Sequence, residues 1–454
     1  MVKPNETVVQ DMSPHEGNVR DDTISPHEHW VIVGHGMAAQ RLLEELHDPL
    51  THRKRQDVSI TIISGEPVGG YNRIGLSDVL AGKRTLAELT PQQIHSQHLP
   101  NCQWLQGWVM AIDRTAQTVR LSDGGLLPYD RLILSTGSSA LLPELPGING
   151  QGIQAFRTAA DTEGLMALPA NASVIVVGGG LLGIEAAVGL AGRGVNVALV
   201  HRGAWLMNRQ LDALSGDWLA EALTSRGIRV YLNSTVAEIA RDEREDMQGV
   251  ILQTGEQLDA AHAVFAMGVK PNVDLAQRAG VAVADGIEVD DQMITSDPAI
   301  YALGECVSHR GVQFGLVGPL YEQAAVLARV LVANRDHIAC DARYEGTVVA
   351  THLKVSGVPV YSAGDIDPAQ ESLVWQDLPK RHYKRLFLKE GRLVGVVLYG
   401  DISDGGFYHD LIQQQVDIRA WREHLIFGAA HCTGNVERNN KPQAISQKPY
   451  SAAA

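Results

Sequence analysis

The sequence predicts an α/β protein with two doubly wound, parallel-sheet domains followed by a small α+β domain. Three observations lead there. Six apolar runs of strand length alternate with helical patterns as far as about residue 335. Two glycine-rich turns each follow one of these runs and open a helical stretch. From about residue 345 the texture changes to alternating patterns such as YKRLFLKEGRLVGVVLYG, which read as a hairpin.

The strand runs are HWVIVG (29–34), VSITIIS (58–64), RLILST (131–136), SVIVVG (173–178), VNVALV (195–200) and AVFAMG (263–268). Continuous β-branched runs of this length are what parallel strands buried on both faces require, and their alternation with helices gives a βαβ rhythm. Two such units begin independently, near residues 29 and 173, with the Pro/Gly-rich LLPELPGINGQG (141–152) as a hinge between them. At 454 residues the chain has room for two or three domains and a sizeable core. Residues 1–28 are polar and acidic with no apolar core, so they read as a disordered extension and not as a secretory signal. Residues 433–454 read as a disordered tail.

Composition removes several classes of function. A net charge of −14 opposes nonspecific nucleic-acid binding and attraction to an anionic membrane. Cys102, Cys306, Cys340 and Cys432 are too scattered for a disulfide framework, a dithiol or a metal centre, so no metal is expected. No apolar stretch approaches the ~18 residues of a membrane span. A cytoplasmic protein follows as the expectation.

The two glycine-rich turns carry the chemistry. The first, after HWVIVG, places Gly34, Gly36 and Ala39 at the positions of GxGxxG/A, and the second places Gly178, Gly180 and Gly183 there. The first glycine permits the tight turn, the second lets the backbone approach a pyrophosphate, and the third lets the helix pack on the strand. Two Rossmann-like dinucleotide sites in one chain are therefore expected. After VSITIIS, Glu66 can accept hydrogen bonds from a ribose 2′-hydroxyl. It lies further past Gly34 than the ~20 residues usual in such units, because HDPLTHRKRQD (47–57) inserts a polar loop. After VNVALV the chain has His201 and Arg202 and no carboxylate. A basic pair there can meet a 2′-phosphate, while backbone contacts alone would suit NADH. Both readings stand, with NADH favoured.

With those turns in place, LILSTGS (132–138), GGGLLGIEAA (178–187), AMGVKPN (266–272) and IYALGE (300–305) come in an order that resembles the pyridine nucleotide–disulfide-type flavoprotein reductases. Over about residues 29–335 the resemblance implies an FAD domain (29–148 and 272–335) split by an inserted NAD(P)H domain (149–271). The α+β interface domain then spans 340–428. A narrower likeness joins GGYNRIGLSDVLAG (69–82), LMNRQLD (206–212), GECVSHRG (304–311) and THLKVSGVPVYSAGD (351–365). These are similar to the flavin-carrying half of the assimilatory nitrite reductase large subunit and to the electron-transfer subunit of bacterial assimilatory nitrate reductase. The cysteine-rich segments of the nitrite reductase do not follow LIFGAAHC (425–432) here. The electron-transfer subunit is accordingly the better likeness expected.

The resemblance also implies roles. Glu185 would sit near the nicotinamide and flavin faces, and Gly268 would admit the nicotinamide to the backbone. Asn72 and Arg73 would lie beside the isoalloxazine, with Arg73 stabilising reduced flavin. Thr136 and Gly137 would close the FAD site, and Gly304 with Glu305 would meet the ribityl chain, Glu305 as a hydroxyl acceptor. The segment corresponding to a redox cysteine in related reductases is YNRIGLSDVLAG and holds no sulfur, and Asp78 stands where another branch has lysine. Cys306 is then a small buried residue, and electrons leave from the flavin directly. The expected function is an FAD-dependent NAD(P)H oxidoreductase feeding the catalytic subunit of an assimilatory nitrate reductase. A reductase of a rubredoxin or ferredoxin-type iron–sulfur carrier, and an NAD(P)H-sensing flavoprotein, are the alternatives. The basic run PKRHYKRLFLK (379–389) offers a docking surface for an acidic partner, or merely the solvated side of a hairpin.

Overall fold

The computed structural model describes residues 27–47, 57–90, 101–353 and 357–432. The extension before residue 27, the tail after 432 and most of the polar loop at 47–57 lie outside the described residues.

The chain enters through β1 (Glu28–Val33), whose last four residues are buried. Helix α1 (Met37–His47) follows, then β2 (Val58–Ser64), the short helix α2 (Leu76–Leu80), β3 (Cys102–Gln106) and β4 (Arg131–Leu134). Strand β1 lies parallel between β2 and β4, with Ile32 opposite both Ile62 and Ile133. Strand β5 (Ser138–Ala140) then leaves this sheet, and β6 (Ile153–Ala155) starts another. Helix α3 (Ala159–Met166) opens on a capping box in which Thr158 and Asp161 satisfy each other's backbone donors. Next come β7 (Ser173–Val177), α4 (Leu181–Gly192), β8 (Asn196–Val200), α5 (Ala213–Thr224), β9 (Arg229–Tyr231) and β10 (His262–Phe265). These strands form a parallel sheet in the order β9-β8-β7-β10-β6.

The chain then returns. Strand β11 (Val269–Pro271) pairs antiparallel with β5, and β12 (Ile300–Ala302) joins the first sheet beside β4. The first sheet therefore runs β12-β4-β1-β2-β3, with the second sheet inserted in the chain between β4 and β12. Helix α6 (Val317–Arg335) packs with α1 over this first sheet, burying Leu42, Leu43, Leu327 and Leu331. The fold class is the one the alternating runs predict.

The last unit is an antiparallel sheet of β13 (Ala350–Leu353), β14 (Val360–Gly364), β15 (Glu371–Asp377), β16 (His382–Lys389) and β17 (Arg392–Tyr399). Helix α7 (Gly405–Gln413) covers one face with Tyr408, Leu411 and Ile412. The other face lies on α5, where Trp218 meets the rings of Tyr383 and Tyr399 edge-on at 6.3 and 5.5 Å.

That packing gives the cations of PKRHYKRLFLK carboxylate partners within the chain, with Lys380 and Arg381 still largely exposed. Lys384 is buried and its Nζ donates to Asp404 at 2.7 Å. Arg385 pairs with Asp212 at 3.1 Å, Arg381 with Glu221 at 2.6 Å and Lys380 with Asp377 at 3.6 Å. Arg385 and Arg381 thereby tie the third unit to the second, and Lys384 ties the third unit to itself. Asp212 is the hub: one carboxylate oxygen caps α5 through the Ser215 N–H, and the other accepts from Tyr383 and Arg385.

Candidate functional site: two nucleotide cradles and the seam between them

In a parallel sheet the crevice beyond the carboxyl ends of the strands is where a ligand fits. In the first sheet, Gly34 follows β1, Glu66 follows β2, Thr136 and Gly137 follow β4, and Gly304 and Glu305 follow β12. In the second, Gly178 follows β7, His201 and Arg202 follow β8, and Gly268 follows β10. Residues scattered along the sequence thus collect at two sheet ends.

Both glycine turns share one geometry. Gly34 has φ +102°, and a Cβ on it would stand 2.1 Å from the carbonyl oxygen of Ser135. Gly178 has φ +123°, with a Cβ 2.2 Å from the carbonyl oxygen of Ala266. Only glycine meets both the backbone angle and the close approach. Gly36 and Gly180 behave differently: a Cβ there meets nothing within 4 Å. A side chain at either would occupy the empty space over a helix N-terminus, where a pyrophosphate has to sit. Gly183 packs so tightly that a Cβ would come 1.8 Å from the Gly178 carbonyl oxygen, whereas the first turn admits the fully buried methyl of Ala39. The residues present fit a dinucleotide at each turn.

Around the first cradle the polar side chains are already paired. Glu66 binds Arg73 and accepts from the Tyr71 hydroxyl at 2.9 Å. Arg73 also lies over the Tyr71 ring, 5.1 Å from its centroid, and burial pushes that phenol up to about 12. Glu305 binds Arg157 and accepts from Ser138 Oγ at 2.7 Å, while Arg157 Nε donates to the Ser138 carbonyl at 2.8 Å. Thr136 and Gly137 are clasped by Asn272, whose Nδ2 donates to the Thr136 carbonyl at 2.9 Å and whose backbone accepts from Thr136 Oγ1 at 2.7 Å. Below the turn, buried His35 fills the space under Gly69 and Gly70, where a Cβ on Gly70 would reach its ring at 3.0 Å.

Glu66 and Arg73, expected at the ribose and isoalloxazine ends of an extended cofactor, are brought together by the fold in one ion pair. Asn72 is exposed and its side chain accepts from the Ile74 N–H at 3.1 Å, closing the turn that carries Arg73. Sequence reading missed Arg157, because its partner Glu305 is remote in the chain. It also passed over Asn272, although AMGVKPN contains it.

In the second cradle the basic pair divides. His201 is buried, its Nδ1 accepting from the Gly179 N–H at 3.1 Å, and burial holds its pKa below the usual value. Arg202 points outward and is exposed. Imidazole and guanidinium therefore do not form one cationic patch.

Glu185, on α4, faces α2 of the first unit, where its carboxyl bonds to Ser77. Burial raises its pKa to about 7, Ser77 lowers it and the nearby Asp78 raises it further. Asp78 itself pairs with Lys83 at 3.8 Å. Cys306 is completely buried, its thiol donating to the Leu303 carbonyl at 3.4 Å, and burial pushes its pKa up. His309 turns elsewhere, with Nε2 3.0 Å from Asp291. Among the described residues no cluster of three His, Cys, Asp or Glu side chains suits a metal ion, and no helix is long and apolar enough to cross a membrane.

Comparison with known proteins agrees with this geometry. Residues 28–326 match the family described as pyridine nucleotide-disulphide oxidoreductase, and residues 350–416 match the rubredoxin NAD+ reductase C-terminal domain. The chain is 38% identical to Nitrite reductase [NAD(P)H] of Bacillus subtilis, over 86% of its own length and 47% of that protein's. It is 36% identical to the assimilatory nitrate reductase electron transfer subunit of the same organism, over 87% of its own length and 50% of the other's. The chain spans about half the length of each, so length does not choose between them. A solved putidaredoxin reductase–putidaredoxin complex superposes with a TM-score of 0.77, covering 86% of this chain and 94% of that one at 24% identity.

Proposed function

Because the chain belongs to the pyridine nucleotide-disulphide oxidoreductase family, we propose that it binds FAD at the first cradle and NAD(P)H at the second, and passes electrons in the cytoplasm to a partner redox protein, the catalytic subunit of an assimilatory nitrate reductase. The observation that carries this reading is the matched pair of turns, each with a strained first glycine and open space at the second. Bound there, FAD would supply two-electron reduction by NAD(P)H and release of those electrons singly or together.

The chain's own residues do the positioning. The N-termini of α1 and α4, with Gly36 and Gly180, would receive the two pyrophosphates. Glu66 would accept from the adenosine ribose of FAD, with Arg73 holding that carboxylate and facing the neighbouring phosphates. Arg157 and Ser138 orient Glu305, leaving carboxylate lone pairs for a hydroxyl of the flavin side chain. The Thr136–Asn272 clasp fixes the strand end, and Gly268, at φ +116° with open space beyond it, would admit the nicotinamide. Glu185 would hold a proton at its carboxyl oxygen, close to half-occupied at neutral pH. With all four cysteines free and Cys306 sealed in the core, no sulfur relay is available to carry the electrons onward.

A second reading, reduction of a small iron–sulfur carrier, is favoured by the match of residues 350–416 to the rubredoxin reductase C-terminal domain. Mixing the purified flavoprotein with NADH or NADPH under anaerobic conditions tests the core proposal. Flavin absorbance should bleach rapidly and return on adding ferricyanide, and a flavin that neither nucleotide bleaches would refute it. Substituting the nitrate reductase subunit, rubredoxin or ferredoxin for ferricyanide ranks the partners.

A further inference from the structure

We infer that the free edge of the first sheet is an interface at which two copies of this chain pair strand to strand, antiparallel about a two-fold axis at Trp104. Strand β3 (Cys102–Gln106) closes that sheet on one side and, among the described residues, pairs only with β2. The direction of its remaining backbone groups follows from the ladder. The Asn101 carbonyl accepts from the Ile60 N–H at 2.8 Å, and the Gly107 N–H donates to the Ser64 carbonyl at 2.9 Å. In a parallel pair alternate residues turn both backbone groups to the same side, so residues 101, 103, 105 and 107 face β2. The N–H and C=O groups of Cys102, Trp104 and Gln106 therefore point away from the sheet, and among the described residues nothing bonds to them.

Exposed edges are ordinarily blunted by charge, proline or a bulge. Strand β3 has none of these: it reads CQWLQ, its register with β2 is continuous, and no charged residue occurs from Asn101 to Ile112. Trp104 and Leu105 are 37% and 38% exposed, and Trp108, just past the strand and over Gly65, is 64% exposed. On a chain with a net charge of −14, an uncharged edge bearing two tryptophans is a surface that a copy can cover without burying like charges.

The edge is its own complement. Antiparallel pairing with Trp104 opposite its counterpart sets Cys102 against Gln106 on either side of the axis. Each outward N–H then meets an outward C=O, giving about six backbone hydrogen bonds, and no other two-fold register uses all three outward residues. The two Trp104 side chains become direct cross-strand neighbours, an aromatic pair of the kind that stabilises a ladder. The exposed parts of Trp104, Leu105 and Trp108 offer on the order of 300 Å² per copy. With the backbone, the pair buries roughly 1,000 Å² in all, at the low end for a specific interface, so dimerisation depends on concentration. Because the two-fold axis reverses the strands, the two first-sheet cradles open at opposite ends of the joined sheet.

The test is sedimentation velocity on the FAD-loaded full chain from about 1 to 100 µM. The native protein should pass from 49.1 kDa toward twice that mass, more readily at high salt, where the net charges of the two copies repel each other less. Trp104→Lys brings two ammonium groups together at the axis. It should weaken pairing on the order of 100-fold, with thermal melting and NADH-driven ferricyanide reduction unchanged. Gln106→Pro removes an N–H that β2 does not use, so it should weaken pairing by an independent route and decides the matter if Trp104→Lys misfolds. Trp104→Cys should become a disulfide-linked dimer on oxidation, since facing Cα atoms in such a pair stand about 5.5 Å apart. Trp375→Lys, on the exposed edge strand β15 of the third unit, should leave pairing intact. A native chain that stays monomeric up to about 100 µM, or a dimer that Trp375→Lys dissolves and the β3 variants do not, overturns the proposal.

Discussion

Replacing Glu185 with Gln should remove a specific pH dependence from the stability of this protein. Burial between α4 and α2 raises the carboxyl from 4.5 to about 7. The folded state therefore holds the proton more tightly than the unfolded chain. Its favourable contribution is complete below pH 4.5 and declines as pH rises toward 7, above which the folded carboxyl ionises too. A shift of this size corresponds to about 3 kcal/mol at most, and to less in so far as water reaches the partly exposed side chain. Between pH 5 and pH 8 the native protein should lose about 2 kcal/mol relative to Glu185→Gln, because the amide does not titrate. Denaturant unfolding of both proteins at the two pH values gives that difference directly, with other titrating groups cancelling. Parallel stabilities across the range would show that Glu185 ionises normally, and its proposed service as a proton holder near pH 7 would fall with it.

Three further outcomes follow from the same packing. Gly36→Ala should fold normally, since nothing lies within 4 Å of the added methyl, yet lose FAD on gel filtration, whereas Gly34→Ala should also lower the melting temperature through a clash and a strain of about 1–3 kcal/mol. Asp212→Ala should cost about 3 kcal/mol or more in urea unfolding by uncapping α5 and stranding Arg385, and adding Arg385→Met should recover part of it. Cys306→Ser should retain NADH-driven ferricyanide reduction while losing about 1 kcal/mol of stability, because the thiol sits in a closed core and faces no sulfur. Collapse of flavin reduction in that variant would reopen a redox role for sulfur.

What the sequence discloses is what the backbone imposes. Gly34 and Gly178 are legible because a tight turn beside a neighbouring strand admits no Cβ, and that demand recurs wherever the unit does. The parallel strands are legible because burial on both faces leaves no choice but continuous Val and Ile. Side-chain partnerships impose no such pattern. Nothing local to FRTAAD says that Arg157 reaches Glu305, 148 positions away, and nothing in PKRHYKRLFLK says that its charges face Asp212, Glu221 and Asp404. A cluster of cations invites a functional reading until its anions are located. The same limit explains Arg73, whose place beside Glu66 depends on how the 69–75 loop folds over β2.

The seam shows why those partnerships matter together. Arg157 follows β6 of the second sheet, yet its guanidinium binds Glu305 and Ser138 of the first unit, and its carbonyl accepts from Arg73 at 3.4 Å. The next turn continues the contact, with the Ala159 N–H donating to the Tyr71 hydroxyl, which in turn donates to Glu66. Both carboxylates facing the first cradle are thus linked, through two arginines and one tyrosine, to the segment that begins the second unit. The groups that would hold one cofactor are anchored in the unit that would hold the other, because Arg157 and the Ala159 N–H belong to the second unit while Glu305, Ser138, Tyr71 and Glu66 belong to the first.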